Sequence, residues 1–102
     1  NDLMRPALYG AIHRIMPSLK NNKISNENHE FVGPICESTD SFLNLKKFQE
    51  LREKEIVVVC DVGAYGMSLS SNYNLRPKPI ELLIKGSKIK VIKKRQRHKD
   101  FI

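Results

Sequence analysis

The first candidate for chemistry is a tyrosine between two glycines, Tyr65 in the segment Gly63-Ala64-Tyr65-Gly66. Flanking glycines let the backbone approach a ligand closely, and a phenol held there can donate a hydrogen bond from a fixed point. A tyrosine packed into the core at a tight strand-to-helix corner would show the same residues, since this short pattern has low specificity. The residues alone leave both interpretations open.

Cys36 and Glu37 directly follow a glycine-proline pair in a short predicted strand, residues 31–35. A reachable thiol is protonated at neutral pH and can give its proton to a substrate. A free cysteine is more often a small buried hydrophobe, and the residues alone favour that interpretation of Cys36. Cys60, inside the apolar run IVVVCD, is predicted to be a core residue.

Arg5 lies among apolar neighbours, with Met4 before it and Pro6-Ala7-Leu8 after it. Its planar guanidinium suits bidentate binding of a carboxylate, and Glu37 supplies the opposite charge. Together they could recognise a group that carries both an ammonium and a carboxylate. The alternative is an exposed ion pair between Arg5 and a surface carboxylate, which contributes little to stability.

The composition is that of one globular domain at most. The chain has 102 residues, of which 40% are apolar and 28% charged, enough for a modest core. No apolar run approaches the length of a membrane span and no signal-peptide pattern is present, so a cytoplasmic protein is expected. The chain begins with Asn1 rather than methionine, which suggests a piece of a longer protein or a trimmed chain.

Cysteine and histidine placement argues against a disulfide and against a metal site. The two cysteines lie far apart and form no C-x-x-C unit, so no disulfide is expected. The three histidines occur singly, without the close spacing that a zinc site needs.

The net charge of +7 is concentrated near the end of the chain, where residues 85–99 carry eight basic side chains and no acid. Such a run can contact an anionic partner or form a solvated face. The solvated face is favoured and no nucleic-acid partner is expected, because no aromatic residues are interleaved for base stacking and no nucleic-acid motif is present.

The predicted elements are mostly short strands, so the chain is predicted to be mainly β. Residues 56–60 are predicted to form a buried strand, and residues 68–71 a short helix ended by Pro77 and Pro79. Residues 80–84 and 89–92 are predicted to pair as a hairpin across the glycine-containing loop between them.

The remaining segments give weaker signals. Residues 1–15 are predicted to be extended, with Arg5 and Tyr9 on one face, and residues 20–30 to form a surface loop. Apolar residues recur at three-residue spacing in residues 42–55, which predicts a turn or two of helix followed by a tight turn. A short helix could begin at residues 100–102.

Three segments resemble the C-terminal part of the diaminopimelate decarboxylases, a family of fold-type III enzymes that use pyridoxal 5'-phosphate (PLP). They are residues 4–13 (MRPALYGAIH), 32–40 (VGPICESTD) and 61–79 (DVGAYGMSLSSNYNLRPKP), in the family's order. The resemblance implies a β-sandwich, Greek-key-like domain of the alanine racemase and ornithine decarboxylase type. It also implies that the whole enzyme is a homodimer with shared active sites.

The resemblance assigns roles to individual residues. Cys36 would be the acid that protonates the carbanion after carbon dioxide leaves, in the partner's site. Arg5 and Tyr9 would hold a substrate carboxylate, Glu37 the distal amino group, and Tyr65 would touch both cofactor and substrate. The matching substrate is meso-2,6-diaminopimelate, converted to L-lysine. Tyr73 and Arg76 also lie in matching sequence and are assigned to packing and capping near Pro77.

The resemblance covers only part of that family. Its Schiff-base lysine and its phosphate loop come from an N-terminal (β/α)8 barrel, and neither motif occurs in these 102 residues. The isolated chain is therefore expected to be inactive. Two alternatives remain: a decarboxylase of the same fold acting on a carboxylated polyamine precursor, and a non-catalytic basic binding module.

Overall fold

The computed structural model describes residues 1–102, and short strands and single turns dominate it. The elements follow in this order: α1 (Pro6–Tyr9), β1 (Ile15–Pro17), β2 (His29–Val32), β3 (Ser41–Leu45), β4 (Val57–Val59), β5 (Glu81–Lys85), β6 (Lys88–Lys93) and a 3₁₀ turn (His98–Asp100). The prediction of a mainly β domain is confirmed. None of the helical segments has the length and hydrophobicity that spanning a bilayer requires.

The six strands form three antiparallel pairs: β1 with β4, β2 with β3, and β5 with β6. Within this chain the pairs remain separate two-stranded sheets. The predicted hairpin is confirmed as β5–β6, with Lys85 opposite Lys88. Gly86 has φ 61° at the first loop position, where a type II′ turn needs a positive φ.

The opening segment contains a helical turn, so the prediction that residues 1–15 are extended is wrong at α1. Pro6 occupies the first helical turn, where its fixed φ suits the helix and its missing N–H would have no partner. Gly10 ends the turn in the left-handed region, with φ 68°, and its N–H donates to the carbonyl of Pro6. Arg5 therefore directly precedes the helical turn, and Tyr9 is its last residue.

The helix predicted within residues 42–55 is wrong, because β3 occupies the start of that segment. β3 pairs with β2 in the register His29 opposite Leu45, and this long-range pairing outweighs the local three-residue spacing. The tight turn is confirmed: the N–H of Glu55 donates to the carbonyl of Arg52 at 3.2 Å. Phe48, one of the residues that suggest a helix, packs edge-on against Phe31 with ring centroids 5.1 Å apart.

The strand and corner before Tyr65 differ from expectation in burial and in shape. β4 forms inside the predicted strand at residues 56–60, but Ile56 and Val58 are exposed, so the strand is not buried as predicted. Residues 63–69 form successive turns, and the helix predicted at residues 68–71 is absent. Glycines at 63 and 66 disfavour a helix there.

The ends of two other segments shift slightly. β2 begins at His29, inside the predicted surface loop, and ends at Val32, before Gly33 and Pro34. No helix begins at residues 100–102 as expected; a 3₁₀ turn covers His98–Asp100 instead.

The buried residues lie beside the segments that carry the candidate site. Only six of the 102 residues are buried: Met4, Pro6, His13, Ile15, Asp40 and Gly66. They belong to the segment around α1, to β1, to the residue before β3 and to the corner after β4. α1 also packs against β3. The small core therefore fixes α1, the loop at residues 33–40 and the corner with respect to one another.

Candidate active site

A cleft of about 390 Å³ lies between the N-terminal segment, the loop at residues 33–40 and the segment at residues 69–74. Three of the predicted site residues line it, namely Arg5, Tyr9 and Glu37. Arg5 and Glu37 are 32 positions apart in the sequence. The packing of α1 against β3 brings their two segments together. The prediction that Arg5 and Glu37 form one charged pair therefore has a geometric basis.

Arg5 and Glu37 contact each other directly across the cleft. The Nε and Nη2 of Arg5 donate to Oε2 of Glu37 at 3.3 and 3.2 Å. The Arg5 side chain is 18% exposed and that of Glu37 39%, so the pair borders both protein and solvent. Because both hydrogen bonds fall on Oε2, the other oxygen of Glu37 is left for a cationic group.

Backbone carbonyls hold the remaining terminal nitrogen of Arg5. Nη1 donates to the carbonyl of Met4 at 3.2 Å and to that of Asn1. It also lies 3.8 Å from Oδ1 of Asp40. The guanidinium is therefore fixed on its protein side and faces the cleft with its Nε and Nη2 edge.

Tyr9 and Tyr65 form an aromatic pair with ring centroids 5.3 Å apart and planes tilted by 34°. Tyr9 lines the cleft, whereas Tyr65 does not line it and packs against the ring of Tyr9. Tyr65 is 50% exposed, which excludes a fully packed core tyrosine within this chain. The two rings therefore support each other at the edge of the cleft.

Gly66 is the glycine that the corner requires. Its N–H donates to the carbonyl of Val62 at 2.6 Å, and a Cβ at this position would lie 2.8 Å from that carbonyl oxygen. A Cβ at Gly63 would meet nothing within 4 Å. The turn that presents Tyr65 therefore depends on one of the two flanking glycines.

Cys36 is exposed and does not line the cleft formed by its own chain. This exposure contradicts the interpretation of Cys36 as a small buried hydrophobe, which the residue type alone favours. Cys60 is half-buried rather than fully buried. Its carbonyl lies 3.1 Å from Nδ1 of the buried His13, so its backbone has a structural role.

Two residues beyond the predicted set belong to this region. Tyr73 is 79% exposed and lines the cleft, so its assignment to packing is wrong. Asp40 is buried beneath Arg5. In the sequence it stands out only as the last residue of the VGPICESTD segment. Arg76 pairs with Asp2, with Nε 3.2 Å from Oδ2, which agrees with a structural assignment.

The pKa of the Asp40 carboxyl is lower than its usual value. Burial acts to raise the pKa of Asp40. In the isolated 102-residue chain, hydrogen bonds from the terminal ammonium of Asn1, the Ile35 amide and the Asn1 side chain outweigh burial and lower that pKa below its usual value. Asp40 is therefore ionised at neutral pH beneath the positively charged Arg5.

A family model described as pyridoxal-dependent decarboxylase, C-terminal sheet domain, matches residues 1–63 of this chain. The match covers more than half of the 102 residues and includes Arg5, Tyr9, Cys36 and Glu37. The chain belongs to the pyridoxal-dependent decarboxylase family.

Curated members of this family resemble the chain along its whole length. Diaminopimelate decarboxylase of Helicobacter pylori is 44% identical over 99% of this chain, and that of Methanothermobacter thermautotrophicus is 34% identical over 100% of it. These alignments cover 25% and 24% of the two relatives. The chain thus spans about a quarter of the relatives' length and corresponds to their C-terminal domain.

Solved structures agree with the assignment of the fold. The H. pylori diaminopimelate decarboxylase complexed with L-lysine matches 97% of this chain with a TM-score of 0.80 at 42% identity. The M. jannaschii enzyme in complex with L-lysine matches with a TM-score of 0.85 at 33% identity. The matched parts are 24% and 22% of those chains.

The residues of this pyridoxal-dependent decarboxylase domain do not fit covalent attachment of the cofactor. No lysine lines the cleft, and every lysine except Lys78 is exposed. No glycine-rich segment lines the cleft either. The cleft therefore offers groups that can bind and orient a substrate or hold a proton. It offers no lysine that could form a Schiff base with the aldehyde of PLP.

Proposed function

We propose that this chain is the part of a diaminopimelate decarboxylase that recognises the distal end of meso-2,6-diaminopimelate, which the whole enzyme converts to L-lysine and carbon dioxide. The observation that carries the proposal is the Arg5–Glu37 pair, joined at 3.2 Å at the edge of a cleft that Tyr9 also lines. A cation and an anion side by side match a ligand end that carries both charges.

The charges of the pair define the class of substrate. The distal centre of diaminopimelate carries a carboxylate and an ammonium. The carboxylate would take two donors from the Nε and Nη2 edge of Arg5 together with the Tyr9 hydroxyl, and the ammonium would bind Glu37. A substrate that ends in a bare amine offers no carboxylate to Arg5 and Tyr9, so it would not make the hydrogen bonds that the distal carboxylate makes. The names of the curated relatives support the same substrate, because both are diaminopimelate decarboxylases.

Cys36 is proposed as the proton donor at Sγ. It precedes Glu37 in the same loop and is exposed, so its thiol is free to reach another surface. Because Cys36 does not line its own chain's cleft, we place its proton transfer in the active site of a second subunit. This arrangement requires a homodimer with shared sites.

The cofactor is proposed to be held outside this chain. The pyridoxal ring supplies the electron sink for decarboxylation, and its Schiff-base lysine and phosphate loop are assigned to an N-terminal (β/α)8 barrel that packs against this domain. Tyr65 is proposed to touch both cofactor and substrate, since its half-exposed ring stacks on Tyr9 at the edge of the cleft.

Carbon dioxide release by the full-length enzyme tests the proposal. Wild type should release it from meso-diaminopimelate, and Glu37→Gln should raise KM by about tenfold or more, because a hydrogen-bonded charge pair is lost. Glu30→Gln is the matched control, because Glu30 is exposed on β2 and makes no ion pair. Release from a carboxylated polyamine precursor alone would overturn the substrate assignment, and release by the isolated 102-residue chain would overturn the division of the site.

A further inference from the structure

We propose that Asp40 is a positioning residue that fixes the loop at residues 33–40, and with it Cys36 and Glu37, relative to the guanidinium of Arg5. The role of these residues in the reaction rests on the function proposed above. The position of the loop does not, because it follows from contacts within this chain.

The first support is the burial of the Asp40 carboxylate and the bonds it accepts. Its side chain is fully buried. Oδ2 accepts a hydrogen bond from the Ile35 N–H at 2.9 Å, and Oδ1 accepts one from Nδ2 of Asn1 at 2.9 Å. Oδ1 also contacts the backbone nitrogen of Asn1 and lies 3.8 Å from Nη1 of Arg5. One carboxylate thus joins the loop and the N-terminal segment.

The second support is the closure of the loop around Asp40. The Gly33 N–H donates to the Asp40 carbonyl at 2.9 Å, and the Asp40 N–H donates to the Glu37 carbonyl at 3.0 Å. A Cβ at Gly33 would overlap the Asp40 carboxylate. The glycine therefore provides the space through which the carboxylate reaches Ile35, and the loop between them has few other conformations.

The third support is that Arg5 lies between two carboxylates of different exposure. Glu37 holds the Nε and Nη2 edge at the cleft, with its side chain 39% exposed, while Asp40 faces Nη1 from a position with no exposure. A ligand that competes for Arg5 displaces the exposed partner. The buried partner keeps the guanidinium in place, so Arg5 is already oriented when the ligand arrives.

The decisive experiment is a double-mutant cycle in the full-length enzyme. Asp40→Asn keeps the shape of the side chain and removes its charge. It should raise KM for meso-diaminopimelate by about tenfold, because Glu37 loses its place beside Arg5, and it should also lower kcat, because Cys36 lies in the same loop. In an Arg5→Ala background the same substitution should change KM less than about twofold. Additive effects on KM would overturn the proposal, as would an Asp40→Asn enzyme with the KM of the Glu30→Gln control.

A thiol measurement decides the same point without turnover. The rate at which iodoacetamide modifies the Cys36 peptide, followed by mass spectrometry, should change at least about threefold in Asp40→Asn and not in Glu30→Gln, because the loop then loses its anchor. An unchanged rate overturns the proposal. If the wild-type enzyme leaves meso-diaminopimelate intact, the proposed function is refuted instead. The rate of thiol modification then still tests whether Asp40 positions the loop at residues 33–40.

Hydrogen exchange in the wild-type enzyme covers the case in which Asp40→Asn does not fold. The Ile35 amide donates to a buried carboxylate and should exchange at least about tenfold more slowly than in an unstructured chain. Unprotected exchange at Ile35 would show that the anchor does not form and would overturn the proposal.

Discussion

At the scale of single residues, the two partners of Arg5 divide two tasks. Glu37 is 39% exposed at the cleft, where the proposed substrate would compete with it for Arg5, whereas Asp40 is buried and accepts hydrogen bonds from Ile35 and Asn1. Burying an ionised carboxylate is costly unless hydrogen bonds and an opposite charge compensate it. Here the compensation comes from the segment that carries Arg5, so the charge that positions the arginine also ties two distant parts of the chain together.

The pH dependence of stability should report this buried carboxylate. The pKa of Asp40 is lower in the folded chain than its usual value of 3.8. Its ionised form therefore contributes stability that is present above about pH 4 and is lost as the pH falls through the lowered pKa. Urea unfolding of the isolated chain between neutral pH and about pH 3 should show wild type and Asp40→Asn converging at low pH. A constant difference in unfolding free energy would contradict this.

Gly33→Ala should destabilise the chain because its methyl group would occupy the place of the Asp40 carboxylate. Moving a buried, hydrogen-bonded group out of a packed site costs about 1–3 kcal/mol of unfolding free energy. Gly63→Ala is the matched control, since a Cβ there meets nothing within 4 Å. Equal unfolding midpoints in urea for the two variants would show that the loop accepts the methyl group.

At the scale of elements, α1 joins the charged half of the site to its aromatic half. Its first residue follows Arg5 and its last is Tyr9, which stacks on Tyr65. A helix of four residues has almost no intrinsic stability. Its ends must therefore be fixed by Pro6, which is fully buried, and by the left-handed conformation of Gly10.

Substitutions at Gly10 test this dependence on backbone conformation. Gly10 has φ 68°, and the place that a Cβ would take there is open space, so an added side chain is penalised only through the backbone. Gly10→Ala should cost about 1 kcal/mol of unfolding free energy, and Gly10→Asn less, because asparagine tolerates the left-handed region. Thermal unfolding of both variants checks the order. If alanine were tolerated better than asparagine, the end of α1 would not depend on this conformation.

Local signals explain which elements the sequence predicts correctly. The β5–β6 hairpin follows from β-branched runs on either side of Gly86, all within a few residues. β3 is not predictable in this way, because the loop at residues 33–40 that joins it to β2 is longer than a tight hairpin turn and no local pattern reports that pairing. α1 is ambiguous for a different reason: Pro6 interrupts a strand pattern, but proline also favours the first turn of a helix.

The site shows the same division between local and long-range information. Arg5, Tyr9 and Glu37 can be named from their types and motif, and the structure brings all three to one cleft. Asp40 and Tyr73 cannot be assigned correctly from the sequence. Asp40 acts through contacts with the distant Asn1 and Arg5, and the cleft position of Tyr73 depends on the fold of the N-terminal segment.

At the scale of the whole molecule, the hairpin exposes an apolar face that nothing in this chain covers. Leu82 lies opposite Val91 and Ile84 opposite Ile89, so these four residues share one face. Their exposed fractions run from 44% to 66%. The lysines at positions 85, 88 and 90 lie on the other face. An exposed apolar strand pair of this kind promotes association with another surface.

The isolated chain should therefore self-associate through this face, and removing apolar area there should weaken the association. Changing Ile84 and Ile89 together to threonine keeps β-branched residues in the strands while reducing the apolar area. Association measured by sedimentation velocity should weaken by about tenfold or more, since each buried isoleucine contributes roughly 1.5–3 kcal/mol. The matched control changes the cross-strand pair Lys85 and Lys88 to glutamine on the opposite face. It lowers the positive charge without removing apolar area, so it should not weaken association. If the lysine pair weakened association and the isoleucine pair did not, charge rather than the apolar face would hold the copies together.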